Sequence, residues 1–206
     1  MQPLALDENE SKPRQYIFYD FESMLAEDGR HVPNLCVVHR VCTLCMHQSM
    51  GEGTSCSCGR ERLVFEGVET LSKFGEYVLN GRRKGAICLA HNSSSYDAQF
   101  LLSYVHSRGV KPDLILQGRK IMSMEARGVR FVDSLNFFPM SLAKLPKAFG
   151  LRELRKGFFP HLFNVAGSWD YVGVMPEARY YGPDQMTPTR RQEFLTWYED
   201  PATLKR

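Results

Sequence analysis

Tyr16-Ile17-Phe18-Tyr19-Asp20-Phe21-Glu22 reads as an apolar strand that ends on two carboxylates. Side chains on a strand alternate with period two, so Asp20 and Glu22 share one face. Further on, Ala86-Ile87-Cys88-Leu89-Ala90 reads as a second strand, leading through His91-Asn92-Ser93-Ser94-Ser95-Tyr96 into Asp97. That Ser-rich turn returns the chain, and Asp97 with it, towards the first pair. Three converging carboxylates suit hard divalent cations, which prefer oxygen ligands. Two such ions can clamp the attacking and leaving oxygens of a phosphodiester. The plainer alternative makes Asp20 and Glu22 strand-end surface acids and Asn92 a turn residue.

Around these motifs the pattern is mixed α/β. Strands are expected over Tyr16–Phe21, Leu35–Val41, Arg62–Phe65, Ala86–Ala90, Leu114–Leu116, Ile121–Ala126 and Val129–Asp133. A hairpin about Arg127-Gly128 would join the last two. Glu69–Leu79 has helical periodicity, with Leu71, Phe74 and Val78 on one face. Asp97–Arg108 reads as a helix with Phe100, Leu101, Tyr104 and Val105 inward, ended by Gly109. Ser141–Phe149 reads as a short helix, and Trp169 and Trp197 as core residues.

Asp20-x-Glu22 and Asn92…Tyr96-Asp97 resemble the first two motifs of the DEDD-type 3′–5′ exonuclease domain of family B DNA polymerases. Ser134-Leu135-Asn136-Phe137-Phe138 is similar to the [ST]-L-x-x-h motif of the protein-primed subgroup, and Lys156-Gly157-Phe158-Phe159 to its K-x-x-h motif. The resemblance covers roughly residues 14 to 200. It implies a ribonuclease-H-like exonuclease fold, with residues 14–166 as the exonuclease domain and 1–13 as a flexible lead-in. It implies Asp20, Glu22 and Asp97 as ligands of two Mg²⁺ or Mn²⁺ ions, with Lys156 supporting catalysis through phosphate charge. Asn92, Tyr96, Ser134, Leu135 and His161 would bind the 3′ end of single-stranded DNA at a primer terminus. Deoxynucleotides and a terminal priming protein are partners that the full-length polymerase would engage. His91 either lines the site or is a satisfied strand-end histidine.

The family's third exonuclease motif, Y-x-x-x-D on a helix, is not found. Tyr180-Tyr181-Gly182-Pro183-Asp184 has the spacing, but Gly-Pro argues against a helix and for a loop. Glu193–Asp200 looks helical with the wrong spacing. The expectation is that residues 167–206 lead towards a third motif further on, and that this chain alone lacks one ligand and the polymerase motifs.

Composition agrees with one globular domain: 206 residues, 43% hydrophobic and 12% aromatic. No apolar run reaches the roughly 20 residues that span a bilayer, so no membrane partner is expected. The polar amino terminus carries no secretory signal pattern, which points to an intracellular protein of the nucleus or a viral replication site. Net charge is +3, yet between Arg108 and Lys156 eleven Lys or Arg face four Asp or Glu. A basic stretch beside an acidic metal centre suits a nuclease, because cations track the phosphate backbone.

A Cys-rich insertion over residues 36–58 separates the first two motifs and holds five of the six cysteines. Cys42-x-x-Cys45 and Cys56-x-Cys58 could form a tetrahedral structural zinc site, with Cys36 or His39 as substitute ligands. Free thiols in a reducing compartment, and less readily disulfides, are the alternatives. Cys88 reads as a core residue.

Two other functions stay open at this point: a standalone DEDD exonuclease, and a non-enzymatic, zinc-stapled nucleic-acid-binding remnant.

Overall fold

The computed structural model describes residues 14–46, 61–151 and 157–200. It is built on a seven-stranded mixed sheet of order β3-β2-β1-β4-β7-β6-β5. The strands are β1 (Gln15–Leu25), β2 (His31–Cys42), β3 (Glu61–Glu66), β4 (Ile87–Ala90), β5 (Asp113–Gln117), β6 (Lys120–Ala126) and β7 (Val129–Asp133). The helices are α1 (Thr43–Met46), α2 (Thr70–Leu79), α3 (Asp97–Ser107), α4 (Leu145–Ala148) and α5 (Pro188–Tyr198). The three central strands are parallel: β1 pairs with β4, and β4 with β7. Parallel neighbours need crossovers, and α2 and α3 supply them. The outer pairs β2–β3, β5–β6 and β6–β7 are antiparallel.

Period-two alternation on β1 sends Ile17, Tyr19 and Phe21 into the core, where each is at most 5% exposed. They meet Phe74 and Val78 of α2 and Leu101 and Val105 of α3, with Cys88, Met124 and Phe131 from neighbouring strands. Aromatic edges tie this core together; Phe21 stands at 5.3 Å and 88° to Phe74. Arg127 and Gly128, at φ 50° and 74°, make the β6–β7 turn, whose left-handed backbone matches the strand twist.

The two helices meet where α2 has no side chain. A Cβ placed on Gly75 would stand 2.2 Å from the Tyr104 ring. Gly75→Ala therefore gains helix propensity and loses more to overpacking. A net destabilisation of about 1–2 kcal/mol is expected in urea unfolding; a stability equal to or above wild type would contradict this close approach.

The chain forms two compact units, one of residues 1–22 and 33–140, the other of residues 23–32 and 141–206. The second unit has its own aromatic core. Phe194 of α5 is fully buried, with Phe158 at 5.2 Å, Tyr181 at 5.2 Å and Tyr198 at 5.5 Å. The Arg190 guanidinium lies over the Phe158 ring at 4.2 Å. Trp169 and Trp197 are half-buried rather than interior, as large indoles in a small unit tend to be. The single helix expected over residues 141–149 is instead a 3-10 turn, Leu142–Lys144, running into the one-turn α4. Pro146 is the cause, because it has no N–H to return to the Leu142 carbonyl. The Tyr180–Asp184 stretch is, as expected, not an α-helix. Its residues lie in two 3-10 turns joined at Gly182, φ 66°.

Candidate functional site

Because β1, β4 and β7 run parallel, their carboxyl ends lie along one edge of the sheet, where open α/β sheets form their crevices. The β1–β4 ladder runs from Tyr16↔Ile87 to Phe18↔Leu89. Beyond it, the Phe21 N–H donates to Asp97 Oδ1 at 3.1 Å. The first residue of α3 is thereby docked on the second half of β1. Asp97 is 3% exposed. Burial pushes its carboxyl up to about 6, the Phe21 N–H pulls it down, and the charges of Asp20 and Asp133 push it up further. Asp20 is exposed and Glu22 half-buried, on the face of β1 opposite Tyr19 and Phe21.

Asp20 and Asp97 are near enough for their charges to act on each other, and Glu22 stands on the Asp20 face of β1, but the three do not close into a cage. Among the described residues, no three His, Cys, Asp or Glu side chains group closely enough to hold a metal ion. Asp97 commits one oxygen to the β1 backbone, and Asp20 faces outward. The donor set still fits a hard divalent cation. It is all oxygen, and the mutual repulsion of Asp20 and Asp97 is what such an ion would relieve.

The turn after β4 carries the second motif. Asn92 adopts a left-handed backbone, φ 64°, which is uncommon outside glycine, and its side chain is exposed. Register pairs Ala90 with Asp133, so the ends of β4 and β7 lie side by side. The Asp133 carboxylate, 1% exposed, accepts three backbone N–H bonds. They come from Asn92 at 2.8 Å, Ser94 at 2.9 Å and Leu135 at 2.8 Å. Burial raises this carboxyl, but the donors outweigh it and hold it below the ordinary carboxylate value.

Asp133 was no part of the expected site. The signal was available: an acidic residue on the inward phase of Phe131 and Asp133 at a strand end needs buried donors.

His91 is the satisfied strand-end histidine. Its Nε2 bonds the Met140 carbonyl and its Nδ1 the Ser134 hydroxyl, both at 2.9 Å. A carbonyl can only accept, so the proton sits on Nε2 in the neutral ring and Ser134 donates to Nδ1. Tyr96 sets its ring against Phe100 at 5.0 Å and 76°. Ser134 and Leu135 are half-buried, in the turn that follows β7. His161 is exposed in the second unit, its ring 5.1 Å from Phe159. Lys156 lies outside the described residues.

Cys42 and Cys45 sit together at the start of α1, both buried, with the Cys42 N–H on Cys45 Sγ at 3.1 Å. Cys56 and Cys58 lie outside the described residues. Cys36 is not a substitute ligand. It is fully buried in the main core, apart from the small cluster of Val41, Cys42 and Cys45. Burial pushes its thiol well up, with the charges of Asp97 and Asp20 adding. Cys88 is a core residue.

A family model described as "DNA polymerase type B, organellar and viral" matches residues 80–187, more than half of the chain. The chain belongs to this family. Three fungal relatives carry the name "Probable DNA polymerase". Those of Podospora anserina and Ascobolus immersus are 42% identical over 53 residues and 30% over 125, spanning 26% and 55% of this chain. That of Agaricus bitorquis is 28% identical over 114 residues, 52% of this chain. The matched stretches span only 4%, 10% and 14% of these relatives' lengths. Among solved structures, Phi29 DNA polymerase complexed with single-stranded DNA matches with a TM-score of 0.57 and 16% identity, over 94% of this chain and 36% of that one. The same polymerase complexed with primer-template DNA and incoming nucleotides matches at 0.54 and 14%, over 88% and 28%. The likeness shows a shared ribonuclease-H-like fold, and the family itself rests on the type B polymerase model.

Proposed function

We propose that this chain is the proofreading 3′–5′ exonuclease region of a protein-primed type B DNA polymerase. The observation that carries the proposal is the docking of Asp97 on β1 beside Asp20 and Glu22, next to a loop pair suited to a strand end. Asp20, Glu22 and Asp97 would hold Mg²⁺ or Mn²⁺. When bound, the two ions lower the pKa of the attacking water and stabilise the leaving 3′ oxygen. Asn92 and Tyr96 position the terminal nucleotide, while Ser134, Leu135, Lys156 and His161 hold the preceding strand. The exonuclease domain is residues 14–166. A terminal priming protein and deoxynucleotides are partners of the whole polymerase.

A terminal base must leave its duplex to reach such a site, which is easiest for a mispaired end. A 5′-labelled primer with a mismatched 3′ end should therefore shorten about 10-fold faster in Mn²⁺ than a fully paired one, the worth of about 1.4 kcal/mol of unpairing. Equal rates would contradict proofreading.

The cysteines carry a separate proposal: Cys42, Cys45, Cys56 and Cys58 hold one structural zinc, supported by the buried pairing of the first two. Elemental analysis should find one zinc per chain, and Cys42→Ser should lose it together with a few kcal/mol of stability. A zinc-free, equally stable protein would leave these as plain thiols.

A further inference from the structure

The Asp133 carboxylate joins two loops from distant parts of the sequence. Its Oδ1 receives Asn92 N–H and Leu135 N–H, and its Oδ2 receives Ser94 N–H. Ser95 Oγ adds a bond of 3.4 Å to the Asn92 side chain. Asn92 pays for a left-handed backbone, and such strain persists only where the surroundings over-determine it. Asp133 is what over-determines it: its oxygen lies 2.8 Å from the Asn92 nitrogen. The same oxygen fixes the start of the turn that presents Ser134 and Leu135. Three of its donors are main-chain N–H groups, with the Ser94 hydroxyl beside them, so the carboxylate orders backbone and leaves the Asn92 side chain exposed.

We propose that Asp133 is a positioning residue for the single strand, holding the Asn92 loop and the Ser134–Leu135 turn in their strand-binding geometry before DNA arrives. This rests on the reading above that those residues hold the strand. Asp133 is not proposed to touch metal or phosphate. Pre-organisation of this kind lowers the ordering cost of binding.

The test separates strand from metal. Asp133→Asn keeps the shape and turns one acceptor into an amide N–H₂, which meets one of the backbone N–H donors head on. In EDTA, anisotropy of a 5′-fluorescein-labelled oligothymidine should show strand affinity about 10-fold weaker than wild type. Mn²⁺ affinity, read by electron paramagnetic resonance without DNA, should stay within about 2-fold, since Asp20, Glu22 and Asp97 are all retained and Asp133 is the weakest of the influences on Asp97. An equal loss of both affinities would reduce Asp133 to a structural residue, and unchanged strand affinity would overturn the proposal. If wild type itself binds neither Mn²⁺ nor the strand, the exonuclease reading fails instead.

A second measurement, on wild type, does not depend on the variant folding. Amide exchange by NMR at neutral pH, without DNA, should find the N–H groups of Asn92, Ser94 and Leu135 protected. Exchange at the rate of open amides would contradict a loop pair fixed in advance.

Discussion

Asp97→Asn is expected to stabilise the metal-free protein at neutral pH while abolishing the proposed nuclease activity. Asp97 is 3% exposed, and burial, with like charges nearby, raises its carboxyl from 3.8 to about 6. For an acid raised on folding, ionisation costs stability. The cost is absent below pH 3.8, grows between 3.8 and about 6, and is complete above. Asparagine keeps an oxygen for the Phe21 N–H and carries no charge. In urea with EDTA, the variant should gain about 1–3 kcal/mol at pH 8, and the gain should vanish near pH 4. Comparing variant with wild type at each pH removes the opposite trend of Asp133, whose lowered carboxyl loses its stabilisation as pH falls. With Mn²⁺ restored, strand shortening should fall about 10³-fold or more, the size of losing an essential catalytic group. A stability difference independent of pH would contradict the buried, repelled carboxylate. Function here would be held at the expense of stability, as pre-organised sites commonly are.

Asp20→Ala should cost activity as heavily and stability almost nothing. Asp20 is exposed on the β1 face opposite the core residues Tyr19 and Phe21. Its removal opens no cavity and relieves repulsion on Asp97. Unfolding free energy should stay within about 0.5 kcal/mol of wild type, or rise slightly. Exonuclease rate should drop about 10³-fold or more if Asp20 is the metal ligand proposed above. Retained activity would remove Asp20 from the reaction.

Much of this was legible in the chain because the physics is local. The alternation of Ile17, Tyr19 and Phe21 with Asp20 and Glu22 dictates which residues enter the core and which face out. Leu101 and Val105 follow the helix period, and both are fully buried. Arg127-Gly128 demanded a turn, and the backbone there is left-handed at both residues. What was not legible depends on tertiary register. Only the parallel pairing of Ala90 with Asp133 brings Asp133 under the Asn92 loop. The hydrogen bond from Phe21 to Asp97 depends on where the β1–β4 ladder stops. The separation of Cys36 from Cys42 and Cys45 likewise reflects which core each side chain joins, whereas sequence spacing placed all of them in one insertion.

The most direct measurement follows a 5′-labelled single strand in Mn²⁺ with this chain and with one extended through the downstream segment of its relatives. The account predicts stepwise shortening from the 3′ end, abolished by EDTA and by Asp20→Ala, with the extended chain at least as fast. A labelled strand that stays full length with both chains, although both bind it, would contradict an exonuclease and leave a nucleic-acid-binding protein.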